Sequence, residues 1–173
     1  MGYKHLYFYK LVHIAVTSDY YYMINTSLQQ ILLLCDSVPD QIRSLTPIEL
    51  NKKGSEGSWS KKEILGHLCD SAFVNLQRLV RGQVESAPQI SYDQNRWVNV
   101  QEYENYDVDD LIRLWHSLNK HFYHIAFSMD ESALSSVCLD KDGNKLTLKF
   151  LIDDYVSHLQ HHLTQIIGSP KQL

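Results

Sequence analysis

The amino-acid sequence predicts an all-α protein, a four-helix bundle with one long crossover and a short hairpin before its last helix. Three observations lead there. Apolar residues recur at helical spacing in four separate segments. The stretch from Gly82 to Val108 is too long for a turn, and its aromatics suit a segment folded down over a bundle. A turn signal, Asp142-Gly143-Asn144, lies inside "VCLDKDGNKLTLKF". Such elements pack helix on helix around one core. The chain's 173 residues can fill that core without disulfides or a structural metal, so a metal here would serve chemistry.

In chain order, Leu28, Ile31, Leu32, Cys35 and Val38 mark a first helix from about Asn25 to Leu45, kinked or interrupted at Pro39. Met23 reads as the start of the domain proper, with residues 1–22 an extension and residues 23–173 the bundle domain. The opening "MGYKHLYFYKLVHIAV" has the outline of an export signal, but His13 splits its apolar run and no small-residue cleavage site precedes "TSDYYY". "TPIELNKKGSEGS" reads as a loop. In "SWSKKEILGHLCDSAFVNLQRLVRG", Ser60 is placed as an N-cap and Glu63 completes a capping box. Trp59 stands where a staple residue would meet Ile64, and Gly82 reads as the terminator. Residues 82–108 are expected to be irregular. A third helix from about Asp109 carries the stripe Leu111, Leu114, Trp115, Leu118, Phe122 and Ile125, which leaves His116, His121 and His124 facing solvent. The hairpin then delivers Thr147 as N-cap of the last helix.

Composition narrows the function. Lys and Arg number 16 against 20 Asp and Glu, a formal charge of -4, and no basic run is interleaved with aromatics, so nucleic acid is not an expected partner. No stretch approaches a membrane span, so no membrane partner is expected. Cys35, Cys69 and Cys138 are odd in number, widely spaced and without a CxxC pair, which suits a reducing cytoplasm. The aromatic "YKHLYFYKLV" is a candidate contact in a homodimer.

"DYVSHLQHHLTQI" places three histidines on the last helix. At roughly 100° per residue, and with His158 at zero, the apolar face of Leu148, Leu151, Ile152, Tyr155, Leu159, Leu163 and Ile166 centres near about 90°. His162 at about 40° falls within the buried arc, His158 at its edge, and His161 at about -60° outside it. The i, i+4 pair His158 and His162 can chelate a divalent metal; two boundary histidines are the alternative. On the second helix the apolar face centres roughly 120° from His67, which makes His67 a flanking residue. Ser71, Asn75 and Arg78 continue its stripe, either as a solvated border or as the lining of a wet pocket.

"SWSKKEILGHLCDSAFVNLQRLVRGQ", "YDQNRWV", "LIRLWHSLNKHF" and "TLKFLIDDYVSHLQHHLTQI", in this order, closely resemble the DinB/YfiT-like superfamily of metal-dependent enzymes, over roughly residues 23–168. The resemblance implies a four-helix bundle in up-down-down-up order with a divalent metal, zinc or nickel, on three histidines. Its W-S-x-x-E-I-L-x-H-L element falls on residues 59–68 and makes His67 the first ligand, and its closing H-x-x-x-H makes His158 and His162 the others, leaving His161 out. It also implies a small-molecule substrate and either thiol S-transfer, with a bacillithiol- or glutathione-like low-molecular-weight thiol, or hydrolysis. A metal-binding stress-response or interaction module without turnover is the alternative.

Three neutral imidazoles would leave a divalent ion open positions for water or a substrate atom. A hydrolase also wants a carboxylate base. Asp70, one turn after His67, and Asp154, one turn before His158, are the candidates, and each can equally be a supporting or solvent-facing residue. Arg78 is either a grip for a substrate carboxylate or an ordinary ion-paired arginine. Asn75 and Asn119 either orient a ligand or tie helices together, and Tyr92, Asp93 and Trp97 either roof the pocket or pack. There is no HExxH and no Glu-x-x-His of the di-iron bundles.

Overall fold

The computed structural model describes residues 19–168, with side chains from residue 26 onward. Residues 1–18 of the expected extension lie outside the described residues. The helices are α1 (Asp19–Arg43), α2 (Pro47–Asn51), α3 (Lys61–Val84), α4 (Gln94–Gln101), α5 (Val108–Ser128) and α6 (Leu148–Ile167), and the strands β1 (Val137–Leu139) and β2 (Lys145–Thr147). Single 3₁₀ turns occupy Tyr103–Asn105 and Glu131–Ser135.

Contacts between the four long helices give their directions. Arg43, ending α1, pairs with Asp109 at the start of α5 (2.9 Å), and Lys120 reaches Asp36 (3.7 Å), so α1 and α5 are antiparallel. Ser27 donates to Asp153 at 3.1 Å and Cys69 approaches the Leu111 carbonyl at 3.9 Å, which sets α1 parallel to α6 and α3 parallel to α5. Gly82, late in α3, meets Leu148 at the start of α6, so these two are antiparallel. Both α1 and α3 pack on α5 and α6. The order is up-down-down-up, with α1 and α3 diagonal across the bundle.

Local chemistry explains the elements. Ser60 Oγ accepts from the Glu63 amide (3.2 Å) while Glu63 Oε2 accepts from the Ser60 amide (2.7 Å), the capping box read from the sequence. Thr147 caps α6 by accepting from the Phe150 amide. The β1–β2 pair is antiparallel, with Cys138 opposite Leu146.

Several expectations are corrected. The first helix starts at Asp19 and runs unbroken through Pro39 to Arg43. The segment expected as a loop contains α2, opened by a second capping box of Thr46 and Glu49 with Pro47 in its first turn. Gly82 does not end α3, which continues to Val84. A Cβ there would stand 2.7 Å from Leu148 Cδ2 and 3.1 Å from Cys138 Sγ, so the glycine is there for a close approach of α6. The crossover is not irregular: Asp93 caps α4 by accepting from the Arg96 amide. On α5 the buried residues are Leu111, Ile112, Trp115, Asn119, Phe122, Tyr123 and Ala126. Leu114 is exposed and Leu118 and Ile125 sit at the border, so the stripe is rotated from the expected one; His116 is half-buried, while His121 and His124 are exposed.

The crossover lies against α3 through Tyr103, whose ring occupies the space a side chain on Gly66 would need. Its hydroxyl is fixed on Asp70 Oδ1 at 2.8 Å, so the ring cannot swing away freely. Gly66→Ala is therefore expected to lower stability by about 1–3 kcal/mol through overpacking. Urea denaturation of the variant against the parent chain measures this, and an unchanged midpoint would contradict the close approach.

A candidate metal centre

The antiparallel register of α3 and α6 brings His67 against His158 and His162. His67 is fully buried rather than flanking, 0 % exposed, while His158 and His162 are half-buried. The facing Nε2 atoms of His67 and His158 stand 3.2 Å apart. One nitrogen from each of the three rings falls within 4.8 Å of the others, and among the described residues this is the histidine, cysteine and carboxylate grouping that could hold a metal ion. The outward His161 is exposed.

Each ring is held differently. His162 presents Nδ1 to Gln165 Oε1 at 2.8 Å, and the same amide's nitrogen lies 3.1 Å from His161 Nε2. His158 Nδ1 lies 3.5 Å from Ser71 Oγ. The buried Nδ1 of His67 has no hydrogen-bond partner among the described residues. Its ring is positioned by packing, with the Trp59 ring centroid 4.8 Å away. Burial and mutual repulsion disfavour the protonated rings: His67 is lowered to about 3, His158 to about 4, and His162 is lowered too, by burial first.

The polar stripe of α3 forms a chain leading away from the cluster. Asn75 Nδ2 donates to the Ser71 carbonyl (3.0 Å), and Asn75 Oδ1 accepts from Arg78 (3.2 Å). Arg78 also donates to the Ile90 carbonyl in the crossover (3.1 Å). Burial pushes the Tyr92 phenol up to about 12, and the Tyr92 ring lies 4.9 Å from that of Trp97. Asn119 is enclosed in the core, donating to the Trp115 carbonyl (2.8 Å) and accepting from Tyr155 (2.7 Å). Both ends of that amide are occupied within the protein.

The two carboxylate candidates part company. Asp154 is exposed on α6. Asp70 is buried, and its Oδ1 accepts from Gln101 (2.7 Å) and Tyr103 (2.8 Å) while Oδ2 has no partner among the described residues. Burial raises its pKa against the lowering effect of those two bonds.

Sequence reasoning missed Gln165, one turn beyond His162, and Gln101 and Tyr103 in the crossover. It also missed the cleft, of about 640 Å³, that opens beside His162 and Trp59 and is walled by α2, the segment after it and the start of α3. The Thr46-x-x-Glu49 box was the signal that this segment is ordered.

The DinB superfamily profile matches residues 37–166. A proposed metal-dependent hydrolase of Oceanobacillus iheyensis is 24% identical over 144 residues, 83% of each chain, and one of Bacillus cereus is 24% identical over 152 residues, 87% of each. Among solved structures, YfiT from Bacillus subtilis, described as a probable metal-dependent hydrolase with an unusual four-helix bundle topology, superposes with a TM-score of 0.79 at 19% identity over 88% of this chain and 87% of its own. The mycothiol-dependent maleylpyruvate isomerase superposes with a TM-score of 0.65 at 15% identity; 84% of this chain matches 61% of that longer one.

Unfolded imidazoles take up protons near pH 6.5, whereas His67 and His158 stay neutral in the fold to about 3 and about 4. Between those values the unfolded state binds more protons, so the metal-free protein loses stability as pH falls and none from this source above the window. The urea midpoint is expected to drop more steeply between pH 6.5 and 4 in the parent chain than in His67→Phe. Parallel slopes would contradict the burial of a neutral His67.

Proposed function

The chain belongs to the DinB superfamily, and from that premise we propose that it is a metal-dependent enzyme acting on a small molecule, with His67, His158 and His162 holding one divalent ion. The observation that carries this reading is the convergence of three buried or half-buried imidazoles that stay neutral at physiological pH. The donor set suits zinc or nickel: all three donors are imidazole nitrogens within 4.8 Å of one another, and the His67 and His158 Nε2 atoms stand 3.2 Å apart. The chelating pair is spaced i, i+4, and the third donor comes from an antiparallel neighbour.

When bound, such an ion supplies Lewis acidity and acidifies a bound water or thiol. The chain's own residues set the conditions. Gln165 and Ser71, each facing the Nδ1 of a histidine, fix the ring orientation of His162 and His158. Trp59 covers a face of His67 and keeps water from it. The cleft at His162 admits the substrate. The names of the curated relatives support hydrolysis as the reaction. Thiol transfer is the second reading; the same neutral donor set would equally stabilise a thiolate, and a structural relative depends on mycothiol.

Untagged protein is expected to bind one divalent ion per chain, with His67→Ala and His162→Ala each abolishing stoichiometric binding. Ser71→Ala, which removes the hydroxyl beside His158 Nδ1 and leaves all three ligands in place, is expected to weaken affinity by about 10–100-fold. Titration with zinc and nickel measures all three. Equal affinity in the parent chain and both histidine variants would overturn the assignment. Release of product from ester and amide libraries, against consumption of an electrophile by low-molecular-weight thiols, separates the two reactions.

A further inference from the structure

The cleft beside the cluster has a charge pattern that the histidines do not require. Lys52, just after α2, and Lys61, the first residue of α3, both line it, and neither is in an ion pair among the described residues. Their neighbour Lys53 is different: its Nζ is held by Glu63 Oε1 at 2.9 Å. The carboxylate on the wall is Glu49, whose Oε2 is already engaged by the Thr46 amide (2.8 Å) and hydroxyl (2.7 Å) in the α2 capping box. Lys61 also acts electrostatically on Glu49, so the wall carries two ammonium groups against one carboxylate, an excess of one positive charge.

Toward the cluster the wall is mixed, with Gln165 beside His162 and an apolar part made by two side chains. Trp59 and Ile64 both line the cleft, and His162 lies beside them. A volume of about 640 Å³ is in the range of ordinary small-molecule pockets. An occupant is thus offered an aromatic and aliphatic wall near the imidazoles and a pair of cations at the rim.

We propose that this cleft is the substrate site and that it selects organic anions with an apolar body, the body packing on Trp59 and Ile64 next to His162 and the anionic group held between Lys52 and Lys61. The proposal rests on reading the histidine cluster as the reacting centre. Desolvation of the apolar part supplies affinity, and the paired lysines supply selection by charge. A neutral analogue of the same shape gains the first contribution and not the second.

The test uses 1-anilinonaphthalene-8-sulfonate as an apolar anion and N-phenyl-1-naphthylamine, the same ring system without the sulfonate, as its neutral counterpart. Both are titrated by fluorescence onto metal-free and zinc-loaded protein. In Lys52→Gln/Lys61→Gln the affinity for the anion is expected to fall at least fivefold while that for the amine stays unchanged. Lys145→Gln, on the exposed hairpin, is expected to change neither, and circular dichroism checks that the double variant is folded. No binding of the anion to the parent chain, an anion affinity unaltered in the double variant, or an equal fall for both probes would overturn the proposal. The metal-free arm separates this failure from failure of the metal reading. Charge selection without zinc binding would remove the metal and leave the anion site; zinc binding with no charge selection would do the reverse.

Discussion

The register between α3 and α6 is the constraint on which the site depends. At one end, Gly82 lets Leu148 come closer than a side chain would permit. From Gly82 back to His67 is about 22 Å of helix, and from Leu148 forward to His162 about 21 Å. Two antiparallel rods pinned at Gly82 and Leu148 must therefore bring the imidazoles level at the other end. A slip of one turn, about 5.4 Å, would carry His67 past the 4.8 Å grouping altogether.

Within that frame, the three histidines are constrained by different means. His158 and His162 sit at the edge of α6 and have polar neighbours to fix their rings. His67 is fully buried, and its orientation follows from ring packing: Trp59 tilted against it and the α6 imidazoles at its edge. Packing holds a ring without adding a charge near it, which keeps its lone pair available and its protonated form costly. The capping box of Ser60 and Glu63 matters here too, because it fixes where α3 begins and so where the preceding Trp59 must lie.

Much of this was legible in the chain. The Ser60–Glu63 box, the Thr147 cap, the hairpin and the division of His158 and His162 from His161 all follow from local spacing, and local spacing is what a sequence displays. The burial of His67 was not legible from helical bearings. A bearing assumes one buried face, whereas α3 is covered on several sides, by α5, by α6 and by the crossover through Tyr103. Only the resemblance of "SWSKKEILGHL" to a known pattern pointed to that histidine. On α5 the opposite error arose at Leu114, which is apolar and exposed, whereas Asn119 is the helix-tying amide of the sequence reading, enclosed and compensated by a hydrogen bond from Tyr155. The crossover concealed α4 because aromatic residues there serve packing between segments far apart in sequence, and Asp93 was its one local mark.

The diagonal placement of α1 and α3 bears on how the molecule comes into being. In an up-and-down bundle each helix can dock on the one made just before it. Here, among the long helices, α1 and α3 find their partners in α5 and α6, so both must wait with apolar faces uncovered while the intervening chain is made. A nascent chain leaving the ribosome offers a single imidazole of the three until α6 has emerged and closed the last side of the bundle. The grouping of the three rings is thereby tied to completed folding, since it exists only in a bundle whose final helix has found its groove.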